Sequence, residues 1–244
     1  MFTKSLLTTI LIFVASFAVQ TGETTVYIIG DSTAANKEAR FFPETGWGMA
    51  FQELFNANVK IDNRAANGRS AKTFINEKRW ESVLTTLKEG DYVLIQFGHN
   101  DQKVEQPALG SSMPEYRANL LKFVKEAQAK KANPVLMTPI VRFWFKDGEF
   151  VDSHKGYPDV VRKLADSLHI PLIDMTKKTE KLVKKLGVEP SRALFNFLEP
   201  GAHPNYPQGK RDGTHLNVEG AKTVAKLVAD GIKEQKLGLA KNLN

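Results

Sequence analysis

The chain has no cysteine among its 244 residues. That absence excludes a disulfide framework, a thiolate metal centre and a lipid-modified cysteine. There is also no internal repeat, no low-complexity segment and no His-Glu-x-x-His helix of the kind that binds a hydrolytic metal. Long apolar runs are missing too. The strongest, from Leu6 to Val19, is interrupted by Thr8, Thr9 and Ser16 and is shorter than the roughly 20 residues a membrane span requires. With Lys4 ahead of it and the small residues Ser16 and Ala18 at its end, it reads as a signal peptide over residues 1–18 that is removed on export. The expected product is a secreted or periplasmic protein with no stable membrane association, folded as a single domain over residues 19–244, a length that can enclose one substantial core.

What is present is an excess of positive charge: 34 Lys and Arg against 27 Asp and Glu, a formal net charge of +7. An exported basic protein suits acidic partners. The lysines are scattered, however, over runs with helical spacing, Lys122, Lys125, Lys130 and Lys131, then Lys177, Lys178, Lys181, Lys184 and Lys185. These read as solvated helix faces, and no nucleic-acid recognition motif accompanies them. No nucleic-acid partner is therefore expected, whereas an acidic polysaccharide fits the charge.

Apolar, β-branched runs recur at 25–29, 91–97 and 133–138, with weaker ones at 58–63 and 170–174. Helical periodicity follows them, over 46–56 (Trp47, Phe51, Leu54, Phe55), 114–131 (Tyr116, Leu120, Leu121, Val124, Ala127), 158–168 and 218–235. Such alternation predicts parallel strands with right-handed helical crossovers, a three-layer α/β/α sandwich of about five parallel strands, flavodoxin-like in outline. Gly and Pro cluster at 103–114, 139–158 and 187–213, which marks these stretches as loops.

Three short stretches carry chemistry. Gly30-Asp31-Ser32-Thr33 follows the run Val26 to Ile29, and Gly98-His99-Asn100-Asp101 follows Tyr92 to Phe97, so Ser32 and Asn100 are placed at the carboxyl ends of two strands, where parallel sheets bind ligands. Asp212-Gly213-Thr214-His215 precedes the last helical run. A serine acting as nucleophile at neutral pH needs a base, a group that orients the base and donors for the oxyanion. His215, Asp212 and the pair formed by the Ser32 N–H and the Asn100 amide fill those roles. Each stretch alone also has a plain structural reading, as a polar turn or a helix cap. Asp31 is read as holding its turn through backbone N–H groups. His169, ahead of Pro171, reads as a structural residue at a helix end.

With Asn67-Gly68-Arg69-Ser70 between the first two stretches, the chain resembles the SGNH (GDSL-like) hydrolase superfamily across residues 25 to about 235. The Gly-Asp-Ser-Thr form of the first block, Gly46-Trp47-Gly48 and His203-Pro204-Asn205-Tyr206-Pro207 resemble its rhamnogalacturonan acetylesterase branch, carbohydrate esterase family 12. The resemblance implies a flavodoxin-like SGNH hydrolase fold, catalytic Ser32, Asp212 and His215, and an oxyanion hole from Ser32, Gly68 and Asn100. It implies a serine esterase that removes acetyl groups from a pectic glycan without cofactor or metal. By position, Arg142 suits a uronate carboxylate and Trp144 a sugar face; His154, in a segment shared with bacterial relatives of the branch, suits sugar hydroxyls or a uronate, beside its plainer reading as a surface-loop residue. Trp47 and Trp80, at helical spacing, read more readily as core. Three alternatives stay open: an esterase for xylan, sialic-acid or small acyl esters; a metal-dependent phosphohydrolase using Asp31, Asn100, Asp101, Asp212 and His215; and a noncatalytic carbohydrate-binding protein.

Overall fold

The computed structural model describes residues 23–244, so the expected signal peptide lies outside the described residues. Strands β1 (Thr24–Gly30), β2 (Val59–Asn63), β3 (Tyr92–Gln96), β4 (Asn133–Met137) and β7 (Leu172–Ile173) make one parallel sheet in the order β2-β1-β3-β4-β7. Two antiparallel pairs stand apart from it, β5 (Phe145–Lys146) with β6 (Glu149–Phe150), and β8 (Phe195–Leu198) with β9 (Lys210–Leu216). The helices are α1 (Ala71–Asn76), α2 (Arg79–Leu84), α3 (Met113–Ala129), α4 (Tyr157–Leu168), α5 (Met175–Leu186), α6 (Val188–Arg192) and α7 (Val218–Glu234). The predicted three-layer α/β/α sandwich is the architecture observed.

The sheet is apolar on both faces, as a parallel sheet covered by helices must be, and its period-2 alternation splits the core in two. Val26, Ile28, Leu94, Val135 and Met137 point to one side, where they meet Val224, Ala225, Val228 and Ile232 of α7 together with Trp47 and Phe51. Tyr27, Ile29, Val93, Ile95 and Leu136 point to the other, against Phe74 of α1, Trp80 of α2, Leu120 and Phe123 of α3, and Val161 and Leu164 of α4. Trp47 and Trp80 are thus core residues.

One expected helix does not form. Residues 46–56 fold as two short 3₁₀ turns, Trp47–Met49 and Gln52–Leu54. The Gly46-Trp47-Gly48 segment is held by other bonds: the Trp47 N–H donates to Thr33 O, and the Trp47 indole N–H donates to Gln96 Oε1 at 2.7 Å. Those tertiary bonds override the helical spacing of the apolar residues. Elsewhere the local signals agree with the fold. Ser70 caps α1 in a reciprocal capping box with Thr73, and Ser112, Asp174 and Asn217 cap α3, α5 and α7. The cap at Asn217 also fixes the chain two residues beyond His215, because its amide donates to Ala193 O and Phe195 O.

Candidate active site

Gly30 ends β1 where the chain passes so close to β3 that a Cβ would lie 2.5 Å from Gln96 O. Only glycine fits there, and the chain then turns through Asp31, Ser32 and Thr33. Asp31 is fully buried and holds this turn: its Oδ1 accepts from Thr33 N at 3.0 Å and from Thr33 Oγ1 at 2.8 Å, and its Oδ2 lies 3.1 Å from His99 Nδ1. Burial raises the Asp31 pKa, but the His99 contact and the Thr33 donors outweigh it and keep the group ionised well below the usual carboxylate range. Burial also holds His99 neutral, so its Nδ1–H donates to Asp31.

Ser32 sits on the cleft side of that turn, largely buried. Its Oγ is 2.8 Å from His215 Nε2, and His215 Nδ1 is 2.8 Å from Asp212 Oδ2. The sequence places Asp212 and His215 in a loop; both lie instead on β9, close to an irregularity in its pairing with β8. The Asp212 carboxylate ties the strand locally at this irregularity, since Oδ1 accepts from the N–H groups of Thr214 at 2.9 Å and His215 at 3.0 Å. Burial acts to raise the Asp212 pKa, yet the hydrogen bond and charge of His215 and these two backbone donors bring it down to about 2. An ionised carboxylate on Nδ1 fixes the imidazole tautomer with its Nε2 lone pair facing Ser32.

The relay opens on a cleft of about 520 Å³. Gly68 and Asn100 line it with Ser32, Asp212 and His215. Gly68 has φ +72°, and an added Cβ would meet nothing within 4 Å. Glycine is therefore favoured by the backbone conformation of the loop, and no protein atom crowds the position. The Asn100 side chain is held from both ends: Oδ1 accepts from Lys103 Nζ at 2.8 Å and Nδ2 donates one N–H to Arg69 O at 3.0 Å, which leaves the second N–H of that amide for a ligand.

Arg142 also lines the cleft, with Nη1 donating to Ser153 Oγ at 3.1 Å and Nη2 to His99 O at 3.3 Å. Neither Arg142 nor Lys103 has a carboxylate within ion-pair distance among the described residues. Trp144 is half exposed but is not part of the cleft lining.

His154 is not at a substrate-facing surface. It is fully buried, with Nε2 2.7 Å from Ile140 O, Nδ1 3.2 Å from Gln102 Oε1 and its ring edge-on to His99. Both ring nitrogens are used internally, so His154 is a structural support for the floor beneath Arg142 and His99. Burial lowers its pKa to about 3. An unfolded His154 takes up its proton near its ordinary value of about 6.5 while the folded ring stays neutral. The unfolded state therefore binds the extra proton across that window, and stability falls as the pH drops from about 6.5 toward 3, by up to about 1.4 kcal/mol per pH unit. In urea titrations at pH 7 and pH 5, His154→Gln is expected to lose less of its midpoint than the natural protein; equal losses would refute this account.

The Asp31 and Asp101 carboxyls proposed for a metal reading are both fully buried and do not line the cleft. Asp101 Oδ1 accepts from Ala71 N at 2.9 Å, and burial pushes the group up to about 8. Three groups do approach one another, Glu44, Asp212 and His215, whose nearest donor atoms lie within 4.8 Å. Their atoms are committed to the relay and to an ion pair between Glu44 and Lys37. Glu44, Phe41 and Lys103 are lining residues that the sequence did not single out. Nothing local distinguishes Glu44 from its exposed neighbour Glu38; only the fold buries one of them.

A parallel α/β/α domain that presents this serine, histidine and aspartate at its strand ends defines a carboxylic ester hydrolase. The chain belongs to the GDSL-like lipase/acylhydrolase family, which it matches over residues 28–223. It is 39% identical over 219 residues to a rhamnogalacturonan acetylesterase, RhgT, of Bacillus subtilis, covering 89% of this chain and 93% of that one. A rhamnogalacturonan acetylesterase of Emericella nidulans is 26% identical over 224 residues, with 82% and 81% covered. Among solved structures, Bacillus subtilis YxiM superposes with a TM-score of 0.76 at 25% identity, over 89% of this chain and 58% of that longer one. An acetylxylan esterase of Geobacillus stearothermophilus, at 19% identity and a TM-score of 0.60 over 86% of this chain and 94% of that one, shares the fold.

Proposed function

We propose that the protein is a secreted esterase that removes O-acetyl groups from an acidic pectic glycan, rhamnogalacturonan, through an acetyl-enzyme on Ser32. Ser32 Oγ attacks the acetyl carbonyl as its proton passes to His215 Nε2. The tetrahedral oxyanion is met by the N–H groups of Ser32 and Gly68 and the free N–H of Asn100. Collapse breaks the ester bond, and the sugar oxygen leaves with the proton from His215. Water, deprotonated by the same imidazole, then releases acetate and restores Ser32. Asp212 orients the imidazole and stabilises its charged form throughout.

The observation that carries this reading is the continuous relay of two 2.8 Å contacts from Ser32 through His215 to Asp212, at the wall of a cleft that also holds Gly68 and Asn100. The pectic assignment draws on the activity named for the relatives and on the cations Arg142 and Lys103 in the cleft, which a uronate carboxylate would pair. Export rests on the amino-terminal sequence pattern.

Acetate release from acetylated rhamnogalacturonan, acetylated xylan and a small aryl acetate tests the substrate class. The pectic substrate is expected to lead. Arg142→Gln should raise KM on it about 10- to 100-fold, the worth of a hydrogen bond to a charged group, and change KM for the neutral aryl acetate by less than about threefold. Preference for xylan, or an equal Arg142→Gln effect on both substrates, would remove the assignment to an acidic glycan.

A further inference from the structure

Lys37 and Glu44 take no part in the relay, yet their side chains beside it are only 2% and 9% exposed. Burying an ion pair is costly unless its remaining hydrogen-bonding groups are satisfied. Lys37 Nζ donates to Glu44 Oε1 at 2.7 Å and to Asn67 Oδ1 at 2.6 Å. Asn67 is the residue before Gly68.

The Gly68 peptide faces the cleft from a loop with little packing of its own. Asn67 and Gly68 are exposed, and the nearby ties are Ala66 N to Gly30 O at 3.0 Å, a long bond of 3.3 Å from Arg69 N to Ala66 O, and Arg69 Nη1 donating to Asn67 O at 2.8 Å, which leaves the Asn67 side chain to be fixed separately. At a positive φ the direction of a glycine N–H depends on how the residues on either side are held. Asn100 holds one side through Arg69 O. Lys37 holds the other through Asn67. The buried pair also reaches the base: the next residue, Thr45, donates its N–H to Leu216 O at 2.9 Å, adjacent to His215. One ammonium thus joins the loop after Ser32, the loop of Gly68 and, through Glu44, the strand of His215.

We propose that Lys37 is a positioning residue for the ester hydrolysis, clamping Asn67 so that the Gly68 N–H is aimed at the acyl oxygen as it becomes negative. This rests on reading Gly68 as an oxyanion donor. Misaiming one preorganised donor should forfeit part of the roughly 10²- to 10³-fold that such a donor supplies. Because the clamp acts on the transition state, it should leave ground-state binding alone.

The test is steady-state kinetics on a small aryl acetate with Lys37→Met, Asn67→Ala, the double variant and Asn100→Ala. Each of the first two is expected to lower kcat about 10- to 100-fold with KM changed less than about threefold. The double variant should be no slower than the worse single one, because both remove the same clamp. Multiplying effects, a rise in KM without a fall in kcat, or kcat within about twofold of the natural protein would overturn the proposal. If Lys37→Met does not fold, Asn67→Ala decides the matter, since its side chain is exposed. A large loss in Asn100→Ala with none in Asn67→Ala would sink the clamp alone; no loss in either would sink the oxyanion reading beneath it.

Discussion

Ser32→Ala is expected to lower kcat for acetate release by about 10⁵-fold or more, the scale of losing a triad nucleophile, while leaving the thermal midpoint almost unchanged. Ser32 Oγ makes one hydrogen bond at the edge of the cleft, to His215, so its loss removes the proposed nucleophile without opening the core. His215→Ala should fall to the same floor, and the double variant should be no slower, because groups that act as one unit are not additive. Asp212→Asn is a sharper probe. The amide keeps the shape of the carboxylate, and its oxygen can still accept from the backbone N–H groups of Thr214 and His215, but an NH₂ group then replaces the oxygen that faces His215 Nδ1. It would favour the wrong tautomer of the imidazole and cost about 10⁴-fold. Hydrolysis by Ser32→Ala at the natural rate would remove the acetyl-enzyme mechanism.

Trp47→Ala should produce the largest loss of stability, about 3–5 kcal/mol from the vacated core and a further ~1–3 kcal/mol from the buried Gln96 Oε1, which loses its short donor and keeps only a long contact from Thr33 Oγ1. Trp47 is fully buried, packs edge-on against Phe51 and donates its indole N–H to Gln96 Oε1, while Gln96 Nε2 donates to Thr138 O. It therefore joins β3 to the chain beyond β4 and, through its backbone N–H to Thr33 O, supports the turn that presents Ser32. At about 2–4 °C per kcal/mol for a domain of this size, the thermal midpoint should fall by at least ~8 °C. Trp47→Phe should recover most of the packing but none of the Gln96 bond. If Trp47→Phe melted with the natural protein, the indole hydrogen bond would contribute nothing; if it melted with Trp47→Ala, the ring's packing would contribute nothing.

These two expectations differ in how far the sequence leads to them. The Ser32 prediction follows from residues legible in the chain: a glycine and a serine after an apolar run, and an aspartate three residues before a histidine. The Trp47 prediction does not, because helical spacing at 46–56 reads as a helix and gives no sign that Trp47 reaches Gln96 and Thr33.

By itself the sequence determined the period of each strand, and with it the two-sided parallel sheet. Residues alternating at Val26, Tyr27, Ile28 and Ile29 can be buried only if both faces of the sheet are covered. It also set which groups stand at the strand ends, because Ser32 lies two residues past the end of β1 and Asn100 four past the end of β3. Tertiary structure alone decided whether a polar side chain beyond those ends meets the cleft or the interior. His154 and Arg142 lie in the same loop region, yet one is wholly enclosed by Ile140 and Gln102 while the other reaches the cleft. Glu44 is buried and Glu38 is not, since only Glu44 meets Lys37 beside Asn67. Periodicity records the burial of apolar groups, which depends on nearest neighbours along the chain. The burial of a charge depends on a partner supplied from elsewhere in the fold, and no local pattern encodes where that partner will be.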